Sequence, residues 1–477
     1  MSAATSMSTI AGPTRLRPRH WSVLRPWHTN AALGAIGFAM ICFTRQLISE
    51  NDHYTMGTSG VSSSHFVLYL AAVLVFLIKP SNVNRYTFPI IVTAAIACRL
   101  VALFPDPFLS SDVYRYAWDG VVQHAHINPF RYAPGDKALT WLRAPNQDLF
   151  DNINRRDYAH TIYPPAAQVI FYLVTFINSS VTAMKAAMIL LEGLTMWGLV
   201  LLLRELGLRR EWTLIYAWCP LLIWEIGSSG HVDSIIMAFM VLALLFRYRR
   251  QPVLTGIFFA LAVLTKFYPL VLFPALYRRG DWKMPATMVA VTVGLYSIYS
   301  SVGMGVFGFF GGYMKEEGVD SGQRYFLLDM VHRIPGFDHV PNRGFVVFAA
   351  VVFGAIAWWA WHTGCKPDSP REAFLPPAFA FALALMLLFA PHYPWYVAWL
   401  IPFLVVMPNL TVFTYVGGMF YLNTTEMANG SAAGQFHVNC ILYSAVAIAF
   451  VVELLWRRGP WTRHLLQRPS PAPALFR

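Results

Sequence analysis

Charge is what this chain of 477 residues has little of. Only 13% of its residues are Asp, Glu, Lys or Arg, 56% are hydrophobic, and the mean hydropathy is +0.48. A soluble domain needs about a quarter of its residues charged to cover its surface, so a soluble globular protein is excluded and a polytopic membrane protein is indicated. Cysteine is also scarce. The five cysteines, Cys42, Cys98, Cys219, Cys365 and Cys440, lie in or beside apolar segments without CxxC spacing. Neither a cysteine metal site nor a disulfide framework is expected, and they read as small core residues. No internal repeat is seen, whereas a transporter or lipid flippase, the competing class, would show related halves with broken helices and ionisable groups at mid-membrane. No short apolar core with a small-residue cleavage site follows the first 30 residues. These carry Arg15, Arg17, Arg19 and Arg25 and read as a cytoplasmic tail rather than a signal peptide.

What the chain does have is apolar runs long enough for membrane helices. They fall near 31 to 48, 64 to 79, 87 to 104, 185 to 203, 212 to 227, 231 to 247, 284 to 302, 343 to 361, 372 to 389 and 439 to 456. The stretches 252 to 277 and 394 to 422 are interrupted by "LTKFYP" and "VMPNL", so each is expected to form two short helices. Residues 164 to 178 could span or lie along the surface. Loop charge decides between these, because short cytoplasmic loops collect Lys and Arg. If 164 to 178 does not cross, the basic loops and both tails share one side, with 22 Lys and Arg against 4 Asp and Glu. The opposite side then holds 9 against 15. The expectation is an all-α polytopic membrane protein of about 14 spans with both termini inside. It divides into a basic tail to residue 30, a membrane domain over 31 to 456, and a basic tail over 457 to 477. The membrane domain includes outer loops over 105 to 163 and 303 to 342. The net charge of +12 follows from this topology and implies no nucleic acid.

The longest outer loop begins with "FPDPFLSSDVYRYAWDG", residues 104 to 120. At about 100° per residue, Asp112, Arg115, Tyr116 and Asp119 share one helical face, and Val113, Tyr114, Ala117, Trp118 and Val121 share the other. The pattern describes a surface-lying helix with one face toward water or a cavity. Ser110 or Ser111 can cap it, with Asp112 in the first turn. Three more polar stretches fall on the same side: "GSSGHVDS" at 227 to 234, the turn holding Lys266, and "APHYPWY" at 390 to 396. Ionisable groups at membrane ends are expensive and usually serve a site. His124 and His126 with Asp119 form a candidate divalent-metal set, although His-x-His in a loop is a weak signal.

Taken in order, "SDVYRYAWDG", "INPFRYAP", "TIYPP", "GHVD", "TKFYP" and "PHYPWYVAWLIPF" resemble the polytopic GT-C glycosyltransferases that use a polyprenyl-phosphate sugar. The chain is most similar to their bacterial mannosyltransferase-like branch over roughly 85 to 410. The resemblance implies a large first outer loop with an essential acidic residue, surface-lying helices and a cavity at the outer leaflet of the bacterial plasma membrane. It also implies a polyprenyl-phosphate donor, with mannose as the sugar, and a glycan or glycolipid acceptor. Two features depart from the family plan: two extra spans precede the acidic loop, and the paired acidic motif is spread over Asp112 and Asp119.

A sugar on a polyprenyl phosphate already has a good leaving group. The needs are a base for the acceptor hydroxyl and positive charge for the departing phosphate. Asp112 is the base candidate, with Asp119 the second carboxylate. Arg115, Lys266, Arg324 and His392 are the candidate phosphate partners, Lys266 having a snorkelling role as its alternative. Tyr116, Tyr163, Trp395 and Tyr396 are candidates for stacking on sugar rings or for interfacial aromatics. His231 and Asp233 either tie two helix ends together or bind acceptor. Direct displacement with one base predicts inversion.

Overall fold

In the computed structural model, residues 26–50, 60–78, 83–107, 109–316, 325–419 and 432–458 are described. Arg324 and most of both tails lie outside them. Among the described residues the fold is all helical, with no strand. Four helices are long and apolar enough to cross a bilayer: Trp27–Ser49, Val181–Glu205, Asn342–Thr363 and Ala433–Trp456. These make the chain a membrane protein. Two bent pairs, Pro220–Ser228 with Asp233–Tyr248 at 120° and Lys283–Ile298 with Ser300–Glu316 at 114°, raise the count to six if each is one span.

About 14 spans were expected; the other apolar runs fold as shorter or bent helices. Several apolar runs form helices of 17 residues or fewer, such as Thr87–Leu103 and Leu375–Phe389. The run from 212 does not form one straight span. Pro220 cannot continue a hydrogen-bonded turn, the chain widens into a π-helix over Ile223–Ser228, and Gly230 turns it with a φ of +68°. A Cβ at Gly230 would lie 2.9 Å from Lys185 Cγ, so both the conformation and the close approach call for glycine. The helix that follows begins at Asp233. The stretches 252 to 277 and 394 to 422 are broken, into Pro252–Val263, Tyr268–Leu272 and Phe273–Leu276, and into Pro394–Leu400, Ile401–Val406 and Leu410–Gly418.

One apolar core holds the bundle together, with Trp218, Trp224 and Trp399 fully buried in it. Their polar ends and those of their neighbours need partners inside an apolar interior: Trp218 Nε1 donates to the Ile91 carbonyl at 2.9 Å and Tyr69 to the Ile215 carbonyl at 2.8 Å. Two charged contacts fix how the chain leaves the core. Arg99 Nε pairs with Glu192 Oε2 at 3.1 Å, joining Thr87–Leu103 to Val181–Glu205. Lys185 Nζ donates to the carbonyls of Ala102 at 3.0 Å and Pro105 at 2.6 Å, satisfying acceptors that the helix end leaves over. The first long loop starts from that clamp.

The loop has its own small core of Trp118, Val122, Leu139, Leu142, Phe150 and Ile153. The helix Asp112–His124 packs against Pro165–Ile177, where a Cβ at Gly120 would collide with Thr175 Oγ1 at 2.3 Å. The 13 residues of Pro165–Ile177 extend about 20 Å, short of the roughly 30 Å hydrocarbon core. The second long loop docks on the first at Gly308, with φ +53°, and Phe309 N donates to the Thr161 carbonyl at 3.3 Å. A Cβ at Gly308 would overlap that carbonyl oxygen.

Candidate functional site

A cavity of about 300 Å³ opens where the first loop, the second loop and the two broken stretches meet. Its volume lies at the lower end of small-ligand sites. Asp112, Arg115, Tyr163, Lys266, Trp395 and Tyr396 all line it. Residues expected from four separate motifs therefore share one wall.

Asp112 is the first residue of its helix, its backbone N–H donating to Ser110 Oγ at 3.3 Å. Its half-buried carboxylate accepts one hydrogen bond from Asn154 Nδ2 at 2.8 Å. Asp119 has a different setting. It is buried, its Oδ1 accepts from Arg115 Nε at 2.8 Å, and its Oδ2 accepts from Gln168 Nε2 at 2.9 Å. It lies behind the cavity wall rather than in it. The expected water-facing stripe is thus closed off: Arg115, Tyr116 and Asp119 are buried. The ion pair compensates itself at i, i+4 and Gln168 supplies the remaining polar contact, which lets a charged face pack inside.

Lys266 follows the same scheme. Its Nζ donates to Asp233 Oδ2 at 2.6 Å and sits 5.2 Å from the centre of the Tyr396 ring. Asp233 is fully buried and its Oδ1 accepts from the Tyr268 hydroxyl at 2.9 Å. His231 is also fully buried; Nδ1 lies 3.0 Å from the Glu225 carbonyl oxygen, and the ring stacks on Trp395 at 4.2 Å. His231 and Asp233 stand behind the wall and are not in the cavity lining.

Tyr116 does not line the cavity. It is a packing aromatic, stacked on Phe171 at 4.7 Å and edge-on to Tyr163 at 4.9 Å. Tyr163 does face the cavity, and burial together with the Asp112 charge pushes its phenol well above the usual range, so it is a neutral donor. Tyr396 shares a 2.6 Å hydroxyl contact with Tyr313. His392 is half-buried beside cavity-lining Tyr393 but is not itself in the lining. The metal set is not assembled. His124 Nε2 contacts the Tyr172 carbonyl and Thr175 Oγ1, while Asp119 is occupied by Arg115 and Gln168. Among the described residues no three His, Cys, Asp or Glu side chains are grouped to hold a metal ion.

Sequence reasoning missed Asn154, Arg155, His160 and Tyr313. Asn154 and Arg155 come from "NRRD", whose only signal is a polar run in the same loop. Arg155 adopts a φ of +54°, pairs with Glu316 at 2.6 Å and faces the Tyr313 ring, a contact between two loops that no local spacing announces.

A helical membrane protein whose charged cavity is walled by aromatic side chains has the makings of a sugar-handling site. The chain belongs to the alpha-(1→6)-mannopyranosyltransferase family, whose N-terminal domain model matches residues 30–278. That span contains the acidic loop, the buried Asp233 and Lys266, and fits the mannosyltransferase-like branch to which the motifs are similar. The protein is accordingly a glycosyltransferase that transfers mannosyl groups. No curated protein and no solved structure matches the chain.

Proposed function

We propose that the protein transfers mannose from a polyprenyl-phosphate donor to an acceptor hydroxyl at the extracytoplasmic face, with inversion. The observation that carries this reading is the meeting of one accessible carboxylate, Asp112, with cations that include Arg115 and Lys266, in a single aromatic-walled cavity. Asp112 accepts the acceptor hydroxyl's proton as that oxygen bonds to the anomeric carbon. The bond from that carbon to the phosphate oxygen breaks, and its electron pair leaves with the polyprenyl phosphate. Arg115 and Lys266 stabilise the leaving phosphate, so no general acid is required. Inversion of a β-linked donor gives the α linkage in the family's description. Trp395, Tyr396 and Tyr163 supply the sugar-facing surface.

Support for the outer face comes from the loop charges and from the 13-residue Pro165–Ile177 helix, whose length is short for a span. A cysteine introduced at Thr182 is expected to react with an impermeant reagent added outside; labelling only after permeabilisation reverses the sidedness. The chemistry is tested with Asp112→Asn, which keeps size and removes charge. Transfer of label from polyprenyl-phosphate mannose should fall roughly 10²-fold or more, the scale of a lost general base. Retained transfer in a folded Asp112→Asn protein overturns the assignment.

A further inference from the structure

Arg115 and Lys266 enter the cavity from unrelated parts of the chain, yet the structure behind each is the same. Each cation is held by a carboxylate that is at least 99% buried, and each carboxylate is turned by a second neutral donor: Gln168 for Asp119, Tyr268 for Asp233. We infer that Asp119 and Asp233 are positioning residues that preset the two cations for the donor's phosphate and its departure. This rests on the proposed phosphate role of Arg115 and Lys266.

Both oxygens of each aspartate are already used, and neither aspartate lines the cavity. Neither is therefore placed to take the acceptor's proton or to bind a sugar hydroxyl. The cations keep capacity to spare. Arg115 uses Nε on Asp119 and Nη1 on the Ala159 carbonyl at 3.0 Å, leaving the rest of a planar fork with five N–H donors. Lys266 spends one of three ammonium protons on Asp233. Fixing such long side chains beforehand removes the entropy that an anion would otherwise have to overcome on binding.

The balance of charge gives the arrangement a direction. With their aspartates, both cations are neutralised while the cavity is empty. The donor's phosphodiester carries one negative charge; the departing monophosphate carries up to two, because its second pKa is about 6. A pair of preset cations therefore matches the leaving group better than the donor, and an interaction that grows along the reaction speeds the chemical step.

The test measures inhibition by a short-chain polyprenyl monophosphate together with transfer kinetics, in detergent-solubilised full-length protein. Asp233→Asn and Asp119→Asn should raise the inhibition constant roughly tenfold, the scale of losing a hydrogen bond to a charged group, and leave the acceptor KM unchanged. In a Lys266→Met background, Asp233→Asn should add nothing further. Tyr268→Phe and Gln168→Met keep every charge and should shift the same constant by a smaller factor in the same direction, which covers the case of an aspartate variant that does not fold. Two results overturn the inference: a change in acceptor KM instead, or an Asp233→Asn effect that persists in full without Lys266. Folded Tyr268→Phe and Gln168→Met proteins with an unaltered inhibition constant overturn it as well. If Lys266→Met and Arg115→Met themselves leave the constant unchanged, the underlying phosphate reading fails instead.

Discussion

Arg115 stands on the same helix as its carboxylate, four residues away, whereas Lys266 and Asp233 are separated by 33 residues and joined across a break between helices. The side chains of the first pair are 7% and 2% exposed; in the second pair Lys266 is 16% exposed and Asp233 not at all. Both cations line the cavity, but the first brace is almost wholly buried beneath Pro165–Ile177, while the second leaves its cation more open. A sealed ion pair has no water to fall back on when one partner is removed, and an open one has. Removing a partner should therefore cost more fold stability on the first side than on the second, beside the weaker anion binding expected of both.

The largest expected effect breaks the sealed pair. Asp119→Asn should destabilise the protein by about 3–5 kcal/mol, because Arg115 is left buried without a counter-charge; thermal unfolding in detergent measures it. A stability equal to the parent's would show that the first brace is as open as the second. Next comes Asp233→Asn, expected to remove about 1.5–3 kcal/mol, the contribution of hydrogen bonds to charged groups, in the same melting experiment. A loss larger than that of Asp119→Asn would invert the comparison. Gln168→Met and Tyr268→Phe each remove one neutral donor and should lower stability by about 1 kcal/mol; a double variant should be additive, since the two braces share no partner. The smallest change is expected from Glu316→Gln. The Arg155–Glu316 pair is about one-third exposed on both sides, and such pairs contribute about 0–1 kcal/mol. A clear loss of stability there would identify the contact between the two long loops as a third structural brace.

How much of this was legible beforehand differs between the two sides in the same way. The i, i+4 spacing of Arg115 and Asp119 is visible in "DVYRYAWDG", and helical periodicity alone predicts that they meet. Their burial was not visible: an amphipathic stripe reads the same whether its polar face meets water or Gln168. The pairing of Lys266 with Asp233 was beyond any local pattern. Both residues were singled out for being charged near membrane ends, and only the bent approach to Asp233, through Pro220 and Gly230, sets them 2.6 Å apart. For the same reason the different settings of Asp112 and Asp119 could not be read from the sequence. One starts a helix at the cavity edge; the other is two turns further in.

The sequence by itself determined that the chain is helical and membrane-embedded and that its long first loop carries a charged helical stripe, while its ordered motifs resemble those of mannosyltransferases. The first two follow from composition, from helical spacing and from residue type, all of which act over a few neighbouring positions. Tertiary structure alone decided which carboxylate faces the cavity, which apolar runs break into short or bent helices, and that Asn154, Arg155 and Tyr313 join the site. Those outcomes depend on contacts between residues up to about 160 positions apart, such as Arg155 with Glu316. Burial and desolvation, which fix the role of a charge, are properties of the packed molecule rather than of any stretch of its chain.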